Sequence, residues 1–143
     1  MAKGKHWFID HTADILFRAQ GSTLEEVFAQ CGLALEETQI DLAGVKTSKK
    51  VTFSLQAKDR ERLLFEFLEE LLFYKDSELI LFSSFILKIK KNRENVSLTC
   101  TAAGEKLDLQ KHEPRVDVKA ITLHEFYIKK ISSGWEAQVL VDI

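Results

Sequence analysis

The sequence predicts a single α+β domain over residues 1–143: a mainly antiparallel β-sheet with two amphipathic helices packed on one side. Three observations carry this. The 143 residues fit one domain of the commonest size. Two segments repeat apolar residues at helical spacing, while most of the rest alternates apolar and polar residues with the period of a half-buried strand. The resulting order, ββαβαββββ, lacks the regular strand–helix alternation of a doubly wound fold. Hydrophobic residues make up 45% and charged residues 29%, and one Pro with six Gly argues against disorder. A chain this long buries about two-thirds of its unfolded surface and needs no staple.

Residues 5–9 form a short strand, followed by the polar connection Asp10-His11-Thr12-Ala13-Asp14 and a second strand at about 15–20. Ser22 and Glu25 have the spacing of a capping box, and Leu24, Val27, Phe28, Cys31 and Leu35 then mark one apolar helical stripe. In 49–57, Val51, Phe53 and Leu55 alternate with Thr52, Ser54 and Gln56, as in a sheet with one wet face. Asp59 starts a helix over about 59–75. Its narrow polar strip of Arg62, Glu66, Glu69 and Glu70 leaves Leu63, Leu64, Phe65, Phe67, Leu68, Leu71, Leu72 and Phe73 for burial. Strands at 79–90 and 96–103 flank the turn 91–95, a polar loop runs from Gly104 to about Asp117, and strands at 118–131 and 135–142 join through Ser132-Ser133-Gly134.

Net charge is −2, from 20 basic and 22 acidic side chains, which is not the basic excess of a protein built to hold nucleic acid. The cluster Lys88, Lys90, Lys91 and Arg93 reads as a solvated hairpin tip rather than an RNA contact. Cys31 and Cys100 stand alone at apolar positions and read as small buried hydrophobes. The start has no apolar signal core and no stretch approaches about 18 apolar residues, so a cytoplasmic protein without a membrane partner is expected. Nucleotide-loop, serine-hydrolase and HExxH motifs are absent. His6, His11, His112 and His124 have no two at close ligand spacing, and a lone His11 or His124 is more often structural than a base.

Two acidic positions have chemical interest. Asp14 sits where the polar connection meets an apolar strand, and Asp142 is penultimate, next to the terminal carboxylate of Ile143. Carboxylates that close repel unless a cation or proton lies between them. If the last strand runs back beside 15–20, Asp14 completes an all-oxygen cluster of the kind hard cations prefer. An Asp at a loop–strand junction is also commonly a turn residue, and a terminal carboxylate is commonly solvated. Spacing alone leaves both readings open.

His11-Thr12-Ala13-Asp14-Ile15, Gly21 to Phe28, Leu63 to Leu72, Gly104-Glu105, Lys111-His112, Val118-Lys119-Ala120-Ile121-Thr122 and the closing Asp142-Ile143 together resemble the archease family, in order along nearly the whole chain. The resemblance implies a chaperone-like accessory protein without enzymatic activity. It would activate the RtcB-type RNA ligase of tRNA splicing, promoting its guanylylation and multiple turnover and broadening its nucleoside triphosphate use. It also implies a metal site at Asp14, Asp142 and Ile143, with calcium the expected ion and magnesium or manganese alternatives. Lys119 would act with that site on the ligase, and RNA would be met only through the ligase. Leu123 departs from the family pattern, which carries an aromatic there, and is expected to pack in the core. Two other readings are an RNA-binding modulator of a tRNA-modifying enzyme and a small metal-dependent hydrolase with His11 as base.

Overall fold

The computed structural model describes residues 3–143. Strands β1 (Lys5–Ile9) and β2 (Ile15–Gly21) lead into helix α1 (Leu24–Gln39). After a short 3-10 turn come β3 (Lys49–Ala57), α2 (Arg60–Glu78), β4 (Ile80–Lys91), β5 (Val96–Lys106), β6 (Ala120–Ile131) and β7 (Gly134–Asp142). The expected antiparallel α+β domain is present. Its strands divide into two sheets, β1-β2-β7-β6 and β3-β5-β4, and each helix packs on both. The inward residues Phe17, Ala137 and Val139 of one sheet and Phe53, Leu98 and Cys100 of the other belong to one core with Phe28 and Phe67 of the helices. Each sheet therefore lays one face on the helical layer; the opposite face of the four-stranded sheet is itself partly covered, with Leu16, Gln138 and Leu140 buried. Among the described residues no helix is long and apolar enough to cross a membrane.

Helix α1 starts one residue later than its sequence implies. Thr23, not Ser22, is the cap: its Oγ1 accepts from the Glu26 N–H at 3.1 Å, and the Glu26 carboxylate accepts from Ser22 N–H at 3.0 Å and Ser22 Oγ at 2.9 Å. Glu25 is free for a tertiary role and accepts from the Ile89 N–H at 3.2 Å. Asp59 caps α2 as expected, accepting from Arg62 N–H at 2.8 Å. Phe73, expected in the core, is 55% exposed, because it falls one turn beyond Glu69 and Glu70 on the solvent face of α2. The remaining apolar face supplies Phe67, whose ring lies 5.8 Å from those of Phe28 and Phe85. Truncating such a fully buried ring to Ala costs about 3–5 kcal/mol.

Gly104 is required where β5 passes the irregularity in β4 between Phe82 and Ser84, since a Cβ there would collide with the Leu81 carbonyl oxygen. Cys31 and Cys100 are free and buried, as read from the sequence.

Candidate functional site

Strand β7 lies between β2 and β6, so the end of the chain is flanked by both. Ile15 pairs with Val141, and Ala120 pairs with Asp142. One step further along the first register sets Asp14 across from Asp142. The alternation agrees: Phe17, Val139 and Val141 enter the core, whereas Arg18 and Gln138 meet on the outer face through a 2.7 Å hydrogen bond. By the same period Asp14 and Asp142 share that outer face. Directly opposed positions in a sheet hold their Cβ atoms about 5 Å apart.

The chain terminus is held there by packing. Ile143 is half-buried, with its side chain against the main core. The Lys119 N–H donates to the Asp142 carbonyl at 2.8 Å, which fixes the entry to β6 beside the last residues. Three of the predicted site residues, Asp14, Asp142 and Ile143, thus gather at one end of the four-stranded sheet, and exposed Lys119 is tied to that end by its backbone. Among the described residues no three His, Cys, Asp or Glu side chains are grouped so as to hold a metal ion. The donors that fit are two aspartates and the terminal carboxylate, an all-oxygen anionic set suited to a hard divalent cation.

Two backbone irregularities border this end. Ala13 has a φ of 69° and Glu125 a φ of 55°, the left-handed region that non-glycine residues seldom enter. Glu125 lies where β6 breaks register with β7 between Thr122 and Tyr127. The bulge carries Leu123 outward, and at 61% exposure it is a surface residue, not the core residue expected; Phe126 is buried instead. His11 bridges the two irregular segments, with Nε2 3.2 Å from Glu125 Oε2 and Nδ1 3.9 Å from Asp14 Oδ2. Beside it opens a cleft of about 360 Å³ lined by Phe8, Asp10, His11, Asp14, Glu37 and Arg115.

The loop leading to Lys119 is anchored by residues that sequence spacing did not connect. Glu105 accepts from Lys111 Nζ at 2.7 Å and from the Lys46 N–H at 2.6 Å, and lies 3.1 Å from His112 Nε2, off the line of a hydrogen bond. Lys111 first, then the Lys46 N–H and His112, lower the Glu105 carboxyl to about 2. His112 is buried and its Nδ1 accepts from the Asp108 N–H at 2.9 Å, which puts the ring proton of the neutral form on Nε2, towards Glu105. Further along, the N–H groups of Arg115 and Val116 donate to the carbonyls of Gln39 and Thr38 at the end of α1.

These features define a small antiparallel α+β protein that gathers acidic residues and Ile143 at one sheet end. The model of the archease protein family matches residues 7–143, and the chain belongs to that family. Protein archease of Pyrococcus abyssi is 40% identical over the whole of both chains. That of Methanothermobacter thermautotrophicus is 40% identical over 95% of this chain and 96% of its own. Among solved structures, the solution structure of a Methanobacterium thermoautotrophicum protein is 39% identical, covers 96% of this chain and 98% of its own, and superposes with a TM-score of 0.86. The crystal structure of an archease, possible chaperone, from Thermotoga maritima shares the fold with a TM-score of 0.62 at 19% identity, over 94% of each chain.

Proposed function

We propose that this protein is a cytoplasmic, non-enzymatic activator of an RtcB-type RNA ligase, and that it presents a divalent cation held by Asp14, Asp142 and the Ile143 carboxylate. The observation that carries the reading is the register of β2 on β7, which sets Asp14 opposite Asp142 beside the chain terminus. When bound, a calcium, magnesium or manganese ion supplies positive charge that offsets the charge of a nucleoside triphosphate. The residues do the rest. The two aspartates would accept the ion, and the half-buried side chain of Ile143, packed on the core, would keep the terminal carboxylate at the sheet end. Lys119, anchored to Asp142 through its backbone, offers an ammonium to the same anionic substrate.

The ligase would own the bond-making steps, in keeping with the absence of a nucleotide loop from this sequence. Through this site the protein would promote ligase guanylylation and turnover and widen its choice of nucleoside triphosphate. The test measures guanylylation of the ligase with and without the protein. A rise that Asp14→Asn and Asp142→Asn both abolish is expected, and an unchanged rate at saturating protein overturns the reading. Metal-dependent hydrolysis by the isolated protein, lost in His11→Ala, would favour an enzyme working in the cleft beside His11 instead.

A further inference from the structure

The overall charge of −2 conceals an uneven distribution of charge over the fold. Strands β3, β4 and β5 carry six lysines, Lys49, Lys50, Lys88, Lys90, Lys91 and Lys106, against a single acid. That acid, Glu105, is already paired with Lys111. Of the 20 basic and 22 acidic residues of the chain, the remainder therefore holds fourteen basic and twenty-one acidic. The three-stranded sheet is a basic surface on an acidic protein.

Its outer face is also chemically uniform. The pairings Thr52–Thr101–Ile86, Ser54–Thr99–Lys88 and Gln56–Ser97–Lys90 run across β3, β5 and β4, with Lys50 one row beyond. The inward partners Phe53, Leu98, Cys100, Phe85 and Leu87 are buried, so these rows face solvent. Hydroxyl pairs Thr52–Thr101 at 3.2 Å and Ser54–Thr99 at 3.4 Å confirm that the rows share one side. Each hydroxyl both donates and accepts. Among the described residues no carboxylate stands in these rows; Glu105, on the same side of β5, lies beyond them and is tied to Lys111 and the Lys46 N–H, and the one large apolar side chain in the rows is Ile86, 70% exposed.

We infer that the outer face of the β3-β5-β4 sheet binds single-stranded RNA along its sugar–phosphate backbone. This goes beyond the proposed activator role and does not depend on the acidic sheet end. Lysines at the edge meet phosphates, and the rows of hydroxyls and the Gln56 amide meet ribose 2′-hydroxyls, which are donors and acceptors in turn. Among the described residues no aromatic side chain on which a base could stack lies on the face, so the contact is blind to sequence. An anionic membrane fits less well, because an isolated Ile86 gives no apolar wedge to enter a bilayer. The lysines also guard two edge strands against pairing with another chain, a role that needs no acid-free hydroxyl rows between them. RNA is then met directly, not only through the ligase.

The experiment titrates the full-length protein into fluorescein-labelled 12-mers of oligo(U), oligo(A) and the matching DNA, followed by anisotropy from 50 to 200 mM salt. Expected are equal affinities for the two RNAs within about twofold and weaker binding of DNA. The affinity should fall with a log–log salt slope of roughly −2, as three phosphate contacts on a single strand require. The variant Lys50→Gln/Lys88→Gln/Lys90→Gln, exposed at all three sites, should lose at least tenfold in affinity at 50 mM salt with unchanged circular dichroism. Wild-type binding by this variant, DNA binding equal to RNA, or capture by phosphatidylserine vesicles without RNA binding would each overturn the inference.

Discussion

Glu36 is wholly buried in α1, with one carboxyl oxygen accepting from the Phe82 N–H at 2.6 Å. Burial pushes its carboxyl up from the ordinary 4.5 to about 8, against the smaller opposing pulls of the Phe82 N–H and the Lys75 ammonium. Between those two pH values the folded protein keeps a proton that the unfolded chain releases. Stability from this group is therefore complete below about 4.5 and declines as pH rises, until it is gone above about 8. At about 1.4 kcal/mol per pH unit, the whole interval is worth about 5 kcal/mol, an upper value that assumes no relaxation around the carboxylate. Glu36→Gln keeps the acceptor for Phe82 and cannot ionise. The variant should match the wild type near pH 4.5 and exceed it progressively, by up to about 5 kcal/mol at pH 8. With an m-value of about 2 kcal/mol/M this is a urea midpoint shift of roughly 2.5 M, read by circular dichroism at pH 5, 6.5 and 8. The difference between the two proteins cancels the titration of Glu105 and of every other shared group. Parallel stability curves across that range would refute the argument.

Extending the chain by one glycine after Ile143 moves the terminal carboxylate roughly 3.5 Å away while leaving the Ile143 side chain free to pack. Calorimetric titration should then show loss of divalent-cation binding, with the melting temperature in chelator unchanged; retained affinity would remove the terminus from the site. For Glu105, whose carboxyl is held down to about 2, the sign is opposite to that of Glu36. Its contribution is present above about 4.5 and lost as pH falls towards 2. Glu105→Gln should lower the melting temperature at pH 7 and bring it close to the wild type at pH 2, as scanned by differential calorimetry.

What could be read in the sequence was decided locally. The alternation in 49–57 and the stripe from Leu24 to Leu35 specify which side of each element is apolar, and both sides are as expected. For the proposed acidic site the sequence supplied one condition, the last strand returning beside 15–20, and β2 does pair with β7. Division into two sheets was not legible, since which strands pair is settled by tertiary packing and not by the pattern within a strand. Glu36 was missed for the same reason. A helix between two sheets buries most of its girth, so a polar residue off the apolar stripe can still be sealed from solvent. Leu123 failed because the β6 bulge interrupts the period of two that its assignment assumed. Glu105, Lys111 and His112 stood in the sequence as separate fragments, and only the turn at Asp108 folds them onto one another.

A nearly balanced net charge does not by itself exclude a face that holds nucleic acid, for a physical reason. Charge acts over a Debye length of about 10 Å at 0.1 M salt, which is shorter than a domain of this size, so a ligand feels the face it approaches and not the sum over the chain. In this fold a basic excess gathers on the three-stranded sheet. The carboxylates of Asp14, Asp142 and the terminus belong to the four-stranded sheet, and the lysine-edged hydroxyl rows belong to the three-stranded one, with α1 and α2 packed on both. Each surface is thereby kept from neutralising the other. A cation-dependent contact with a protein partner and a phosphate-dependent contact with RNA are compatible on one small domain, and neither is visible in a charge count.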